Sequence, residues 1–284
     1  MNDAQKQRAE RFLKRHQDEG CFLTPNAWDP GSAKMLVASG FDAIGTTSAG
    51  IAFSRGKPDN GFCSPDARMD RDTMLAEVSA VCDSVSVPVN ADLESGFGDS
   101  PEAVADSIRR AIEAGAVGGN IEDYTGDKTH PLYDRSLAVE RITAARRAID
   151  ESGIPFVLVA RTDRFNIGKP GGLAEAIERA NLYQEAGADC LFAPGASDID
   201  TVRALVRELT GPLNVVMGLS GSDVSVAQLR DLGVRRVSIG GSLARALYFQ
   251  LRAAAQEMLE HGTFSYAKEQ IPQTELNRIF ESEL

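Results

Sequence analysis

The sequence predicts an α/β protein built as a single parallel (β/α)8 TIM barrel, on three observations. Short apolar runs rich in Val, Ile and Leu alternate with segments of helical period along the whole chain. The joint from helix to strand also has a recurring form, a glycine followed within one or two residues by an apolar run. It is seen at Ala38-Ser-Gly-Phe-Asp42, Glu113-Ala-Gly-Ala-Val117, Glu151-Ser-Gly-Ile-Pro155, Glu185-Ala-Gly-Ala-Asp189 and Asp231-Leu-Gly-Val-Arg235. Glycine is the residue that most readily closes a helix in the left-handed conformation. Finally, runs beginning at Cys21, Phe41, Val87, Gly118, Phe156, Cys190, Leu213 and Val237 give eight strands. A doubly wound open sheet is the competing architecture, but no G-x-G-x-x-G follows an early strand. No stretch rich in Pro, Gly or Ser divides the chain, so residues 1–284 read as one domain.

Residues 1–19 read as an exposed lead-in helix, docked by Phe12 and Leu13. Cys21 to Pro25 is a short apolar run, and Asn26-Ala-Trp-Asp-Pro-Gly31 reads as loop and helix start. Ala33 to Ser39 is helical, and Phe41 to Thr46 is the second strand. The third strand and its turn are Val87-Pro-Val-Asn-Ala-Asp-Leu-Glu-Ser-Gly-Phe-Gly98, where Pro88 is tolerable because it falls at the strand's beginning. Ser100-Pro-Glu102 reads as an N-cap with proline at the first helical position. Behind it, Val104, Ile108, Ala111 and Ile112 share one helical face. The later strands are Gly118–Glu122, Phe156–Arg161, Cys190–Ala193, Leu213–Met217 and Val237–Ile239. Residues 241–260 form a long apolar helix carrying Leu243, Ala246, Leu247, Leu251 and Met258, and 262–284 form a C-terminal arm with a short helix near 274–283. Such a helix and arm suit packing on a second subunit, although a monomer's last barrel helix reads the same way.

A composition of 43% hydrophobic and 25% charged residues is that of a globular protein able to bury a full core. The net charge of −11 argues against nucleic acid as the partner, because phosphate-backbone binders carry a basic footprint. Cys21, Cys63, Cys82 and Cys190 form no C-x-x-C pair and read as reduced, mostly buried thiols. The polar N-terminus does not resemble a signal peptide, and no apolar run is long enough to span a bilayer. The expectation is a cytoplasmic protein with no membrane partner.

Barrel chemistry sits at the carboxyl ends of strands. There the sequence places Thr46-Thr-Ser48, Asp92 with Glu94, Glu122-Asp123 and Arg161-Thr-Asp163, with Asn214 inside the seventh strand. The strand period aims Asp92 and Glu94 the same way. Asp92, Glu94 and Glu122 would together offer the oxygen ligands that a hard divalent cation wants, with waters retained. Arg161 would present a fork to a substrate carboxylate. Each has a plainer reading: a solvated acidic loop for Asp92 and Glu94, a turn cap for Glu122, an ion pair with Glu122 or Asp163 for Arg161. Their coincidence at successive strand ends favours one metal-holding site. His130, in the loop after the fourth strand, is an acid or base candidate by its ordinary pKa, against the plainer reading of a surface histidine. Tyr124 and Lys128 are further donors in that loop.

Four segments in order, Gly56-Lys-Pro-Asp-Asn-Gly61, Asn90-Ala-Asp-Leu-Glu-Ser-Gly-Phe-Gly98, Asn120-Ile-Glu-Asp123 and Val159-Ala-Arg-Thr-Asp163, resemble the isocitrate lyase / phosphoenolpyruvate mutase superfamily. The resemblance spans about residues 22–260. It implies a (β/α)8 barrel whose last helix is exchanged between subunits, in a homodimer or homotetramer. It also implies Mg²⁺, with Mn²⁺ as a substitute, and a small α-keto or α-hydroxy acid cleaved through an enolate. By position, Asp92 resembles the principal metal-binding carboxylate, Glu94 stands where many members have a second Asp, and Glu122 matches the metal-associated Glu. Asp59 resembles the Asp of a mobile loop that closes over substrate. Thr47, Ser48 and Ala49 match a turn that holds a substrate carboxylate or phosphonate, Trp28 matches an aromatic lining the pocket, and Arg161 matches the substrate-binding Arg.

The chain departs from the lyases in one loop. Where isocitrate and methylisocitrate lyases carry Lys-Lys/Arg-Cys-Gly-His, it reads Tyr124-Thr-Gly-Asp-Lys-Thr-His-Pro-Leu-Tyr133, without a cysteine, and the mutase pattern Lys-Leu-Phe-Pro-Lys-x-Asn is also absent. The expected function is a Mg²⁺-dependent lyase cleaving a C–C bond of a small keto or hydroxy dicarboxylate. Decarboxylation of an oxaloacetate-like acid asks least of a proton donor; His130 or Tyr124 would serve a retro-aldol cleavage. A C–P hydrolase or mutase acting on phosphonopyruvate and a non-catalytic keto-acid binder are the alternatives. Ser238-Ile-Gly-Gly-Ser242 is a second-ranked phosphate cradle.

Overall fold

In the computed structural model, residues 3–59, 68–168 and 172–282 are described. Asn60, Gly61 and Cys63, which the sequence reading touched, lie outside them. Nine parallel strand segments run around one sheet: β1 Phe22–Thr24, β2 Asn26–Ala27, β3 Ile44–Thr46, β4 Val89–Asp92, β5 Gly118–Glu122, β6 Val157–Arg161, β7 Cys190–Phe192, β8 Leu213–Val216 and β9 Arg236–Ser238. β1 pairs with β9 and β2 pairs with β3, so the two first segments are halves of one stave that closes the barrel. Asn26 and Ala27 therefore belong to a strand, not to the loop expected there. The break falls at Pro25, which has no N–H to give, while its carbonyl still accepts from Gly45 N–H at 2.9 Å. The second stave begins at Ile44, later than the expected Phe41.

The helices are α1 Asp3–Gln17, α2 Pro30–Ala38, α3 Ser48–Ser54, α4 Arg71–Ser84, α5 Pro101–Glu113, α6 Arg135–Ser152, α7 Gly172–Glu185, α8 Ile199–Glu208, α9 Val226–Leu232, α10 Ser242–His261 and α11 Gln273–Glu281. α2 begins before Ala33 because Asp29 and Ser32 form a reciprocal capping box around Pro30. Ser100 caps α5 as expected, accepting from Ala103 N–H at 3.2 Å. Gly40, Gly115, Gly153, Gly187 and Gly233, the glycines of the recurring joint, all have φ between 70° and 104°. In that region a side chain crowds its own backbone, which is why each joint uses glycine.

α1 is more than a lead-in. Phe12 is fully buried, and a Cβ on Gly118, at the start of β5, would stand 2.8 Å from its ring. Phe12, His16 and Phe22 meet edge to face, with centroids 4.7 Å and 5.1 Å from the His16 ring. This cluster seals the barrel end opposite the carboxyl ends of the strands. α10 behaves in the reverse way. Ala244 is its buried side chain, while Leu243, Leu247, Phe249, Leu251 and Leu259 are exposed. α11 returns to α2, where Lys34 Nζ donates to the Phe280 carbonyl at 2.8 Å. No helix of the described residues is long and apolar enough to cross a membrane.

Candidate active site

A cavity of about 280 Å³ opens at the carboxyl ends of the strands. Six of the expected residues line it: Thr47, Ser48, Ala49, Asp59, Asp92 and Arg161. Asp92, the last residue of β4, is held on both oxygens. Ser48 N–H donates to Oδ2 at 2.9 Å, and Asn120 Nδ2, from the neighbouring β5, donates to Oδ1 at 2.8 Å. The register that pairs Asp92 with Asn120 makes the second contact. Thr46 Oγ1 accepts from the Asp92 N–H, so the carboxylate's backbone is fixed as well.

These bonds also engage part of the Thr47–Ala49 turn, whose three residues line the cavity. Ser48 N–H serves Asp92, Thr47 N–H serves the Ala27 carbonyl, and Thr47 Oγ1 caps α3. Two of the three backbone donors are thus committed within the protein. Arg161 is similarly engaged. Its Nε and Nη2 fork onto Asp163 at 2.7 Å each, and Nη1 lies 3.0 Å from Glu122 Oε2. The ion-pair reading of Arg161 and its cavity-lining position both hold. Burial works against its charge, but Asp163 and then Glu122 keep the guanidinium above its ordinary pKa.

Glu94 stands beyond the end of the strand that carries Asp92. β4 ends at Asp92, and Glu94 takes φ 50°, an uncommon left-handed conformation for a residue with a side chain. The strand alternation therefore stops before Glu94, which lines an adjoining cavity with Arg68, Asp99 and Tyr133 while Asp92 remains the charge that acts on it most. Glu122 is buried behind Arg161 rather than on the cavity wall. Among the described residues, no three acidic, His or Cys side chains are grouped to hold a metal directly. The expected three-carboxylate site is therefore not assembled in this structure.

The donor chemistry nonetheless fits a hard divalent cation that keeps its waters and takes one or two carboxylates. Asp59 is raised to about 6 by burial and then by Asp92, and Glu94 to about 8 by burial and then by Asp92 and Asp59. Crowded, desolvated carboxylates of this kind are what a cation neutralises. Asp92, Asp59 and Glu94 are the residues that would hold such a cation.

Four expected residues fall elsewhere. Trp28 packs beside the cluster of Ile51, Ala52, Met69 and Met74, and a Cβ on Gly50 would stand 2.8 Å from its Cβ, so its place is under α3 rather than on the cavity wall. His130 is 87% exposed at the side chain and lies 3.6 Å from Asp127, a surface histidine as its plainer reading had it. Tyr124 pairs with Leu132 across the same loop and does not line the cavity. Asn214 is buried one step behind the wall, bonded to Ser238 and Arg236. Arg236, Asn90 and Asn120 line the cavity but were not singled out. Asn90 and Asn120 lie inside the segments that carried the resemblance, whereas Arg236 falls in an ordinary apolar strand beside a second arginine and gave no signal.

Comparison with known proteins follows the same lines. The profile of the phosphoenolpyruvate phosphomutase family matches residues 12–259. The chain belongs to the phosphoenolpyruvate mutase / isocitrate lyase superfamily. An uncharacterized protein of Mycobacterium tuberculosis, Rv1998c, is 35% identical over 86% of this chain and 87% of its own. The 2-methylisocitrate lyase of Escherichia coli is 33% identical over 64% of this chain and 60% of its own. Among solved structures, 2,3-dimethylmalate lyase superposes with a TM-score of 0.84 at 29% identity, over 99% of this chain and 95% of its own. Two of these three relatives are named as lyases, and that similarity suggests an enzyme of the superfamily.

Proposed function

We propose that the protein is a Mg²⁺-dependent lyase that cleaves a C–C bond of a small α-keto or α-hydroxy dicarboxylate, with decarboxylation of an oxaloacetate-like acid the leading case. The carrying observation is Asp92, fixed by Ser48 and Asn120 at the mouth of a cavity that also holds Asp59 and Arg161 and, among its described lining residues, no thiol. A bound cation would supply Lewis-acid stabilisation of the enolate charge that develops as the bond breaks. The protein's own part is placement. Asn120 and Ser48 keep Asp92 aimed. Arg161, braced by Asp163 and Glu122, offers the N–H groups not already engaged to a substrate oxygen. Loss of CO₂ leaves its electron pair on the keto acid without a prior proton transfer, so the absence of a cysteine in the 124–133 loop is no obstacle to that step.

The exposed face of α10 supports a second subunit as partner, a homodimer or a pair of dimers exchanging this helix. Light scattering of the purified protein tests that assembly. For the activity, the test is pyruvate release from oxaloacetate with Mg²⁺ and with EDTA, each corrected for the enzyme-free rate.

A further inference from the structure

Arg236 is a buried cation whose side-chain partners, among the described residues, are neutral. It is 3% exposed, yet among the described residues it makes no ion pair. Its contacts are neutral: Nε donates to Asn214 Oδ1 at 2.8 Å and Nη1 to Asn90 Oδ1 at 3.3 Å. Burial lowers its pKa from the ordinary value, though a guanidinium stays protonated in proteins. Arg161 has Glu122 and Asp163, Arg164 has Glu175, and Arg179 has Asp123 and Glu175, while the buried Arg141 spends its guanidinium on the carbonyls of Ser95, Gly98 and Asp99, away from the cavity. Desolvating a charge is expensive unless something compensates it. Arg236 nevertheless lines the cavity that Asp92 and Arg161 line.

The strand register sets its depth. Arg236 reaches Asn90, two residues before Asp92 on β4, so the guanidinium lies about 7 Å below the level of Asp92, from a rise of about 3.3 Å per residue. That is roughly the reach of a four-carbon dicarboxylate, one end at the acidic mouth and the other at the floor.

Resting on the lyase reading above, we propose that Arg236 is the specificity-determining residue, which takes the second carboxylate of the substrate at the floor of the cavity and so selects dicarboxylates over monocarboxylates. The substrate anion supplies the counter-charge that the fold omits. A charge-assisted pair of this kind is worth about ten- to a hundredfold in affinity.

The test is equilibrium binding of succinate and of propionate to the full-length protein with Mg²⁺, by calorimetry, in wild type and two variants. Arg236→Gln removes the charge. Asn214→Asp keeps it but places a carboxylate against Nε, giving the arginine an internal partner and guarding against misfolding of the first variant. The wild type should prefer succinate by at least about tenfold, and both variants should lose that preference. A succinate preference that survives in a folded variant, or no preference in the wild type, overturns the proposal. Succinate selectivity that depends on Arg236, found together with no turnover of any keto acid, would leave the anion site standing and fell the lyase reading alone.

Discussion

Asn120 Nδ2 lies 2.8 Å from Asp92 Oδ1 because β4 and β5 pair Asp92 with Asn120 in register. The bond fixes which way the carboxylate faces before any ligand arrives. Residues that orient a metal-binding carboxylate commonly carry about a 10- to 100-fold effect on metal affinity. Asn120→Leu should therefore weaken Mn²⁺ binding, measured by electron paramagnetic resonance, by about that factor with the fold unchanged. Binding equal to wild type would remove Asp92 as a residue that holds the cation.

Arg161 joins two buried carboxylates, and their stability depends on it. Removing one member of such a buried set strands the remaining charges, at a cost of about 3–5 kcal/mol. Arg161→Met should lower the unfolding free energy by about that amount in urea titrations. A loss under about 1 kcal/mol would show that the network is solvated and contributes as a surface pair does.

His16 gives the barrel floor an acid sensitivity. Burial, then the charge of Arg236, lowers its pKa from 6.5 to about 3. The unfolded chain takes up a proton near 6.5 that the folded chain refuses, so stability is fully present above that pH and declines as pH falls toward about 3. Between about pH 6.5 and pH 5 the wild type should lose about 2 kcal/mol more than His16→Phe, a substitution that suits the Phe12 and Phe22 rings. Parallel pH profiles for the two proteins would contradict a neutral buried His16.

His130 supplies a negative control. It is exposed and near Asp127, far in environment from the buried cavity. His130→Ala should leave kcat/KM and thermal stability at wild-type values, within about 0.5 kcal/mol. A large loss of kcat alone would show that the 124–133 loop delivers the residue during turnover.

The parts of this fold that sequence made legible are those governed by local rules. Strand and helix periods, the glycine joints and the Ser100 cap each follow from one or two neighbouring residues. The division of the first stave at Pro25 is a long-range matter, since only pairing to β9 on one side and β3 on the other makes Asn26 a strand residue. Glu94 shows the same limit within the site: the period of a strand holds only while the strand lasts, and this one stops at Asp92. Arg236 escaped notice because its meaning lies in what is missing around it, and an absent counter-ion leaves no mark in a sequence.

Asp92→Ala tests most directly whether Asp92 organises metal-dependent C–C cleavage. Wild type and variant would be compared on oxaloacetate with Mg²⁺, with methylisocitrate, dimethylmalate and phosphonopyruvate alongside, scoring pyruvate, glyoxylate, CO₂ and phosphate above the enzyme-free rate. The expected result is Mg²⁺-dependent pyruvate and CO₂ from the wild type, reduced at least about a hundredfold in a variant that melts normally. Unchanged turnover in Asp92→Ala would contradict the metal site, and phosphate from phosphonopyruvate as the main product would contradict the C–C assignment.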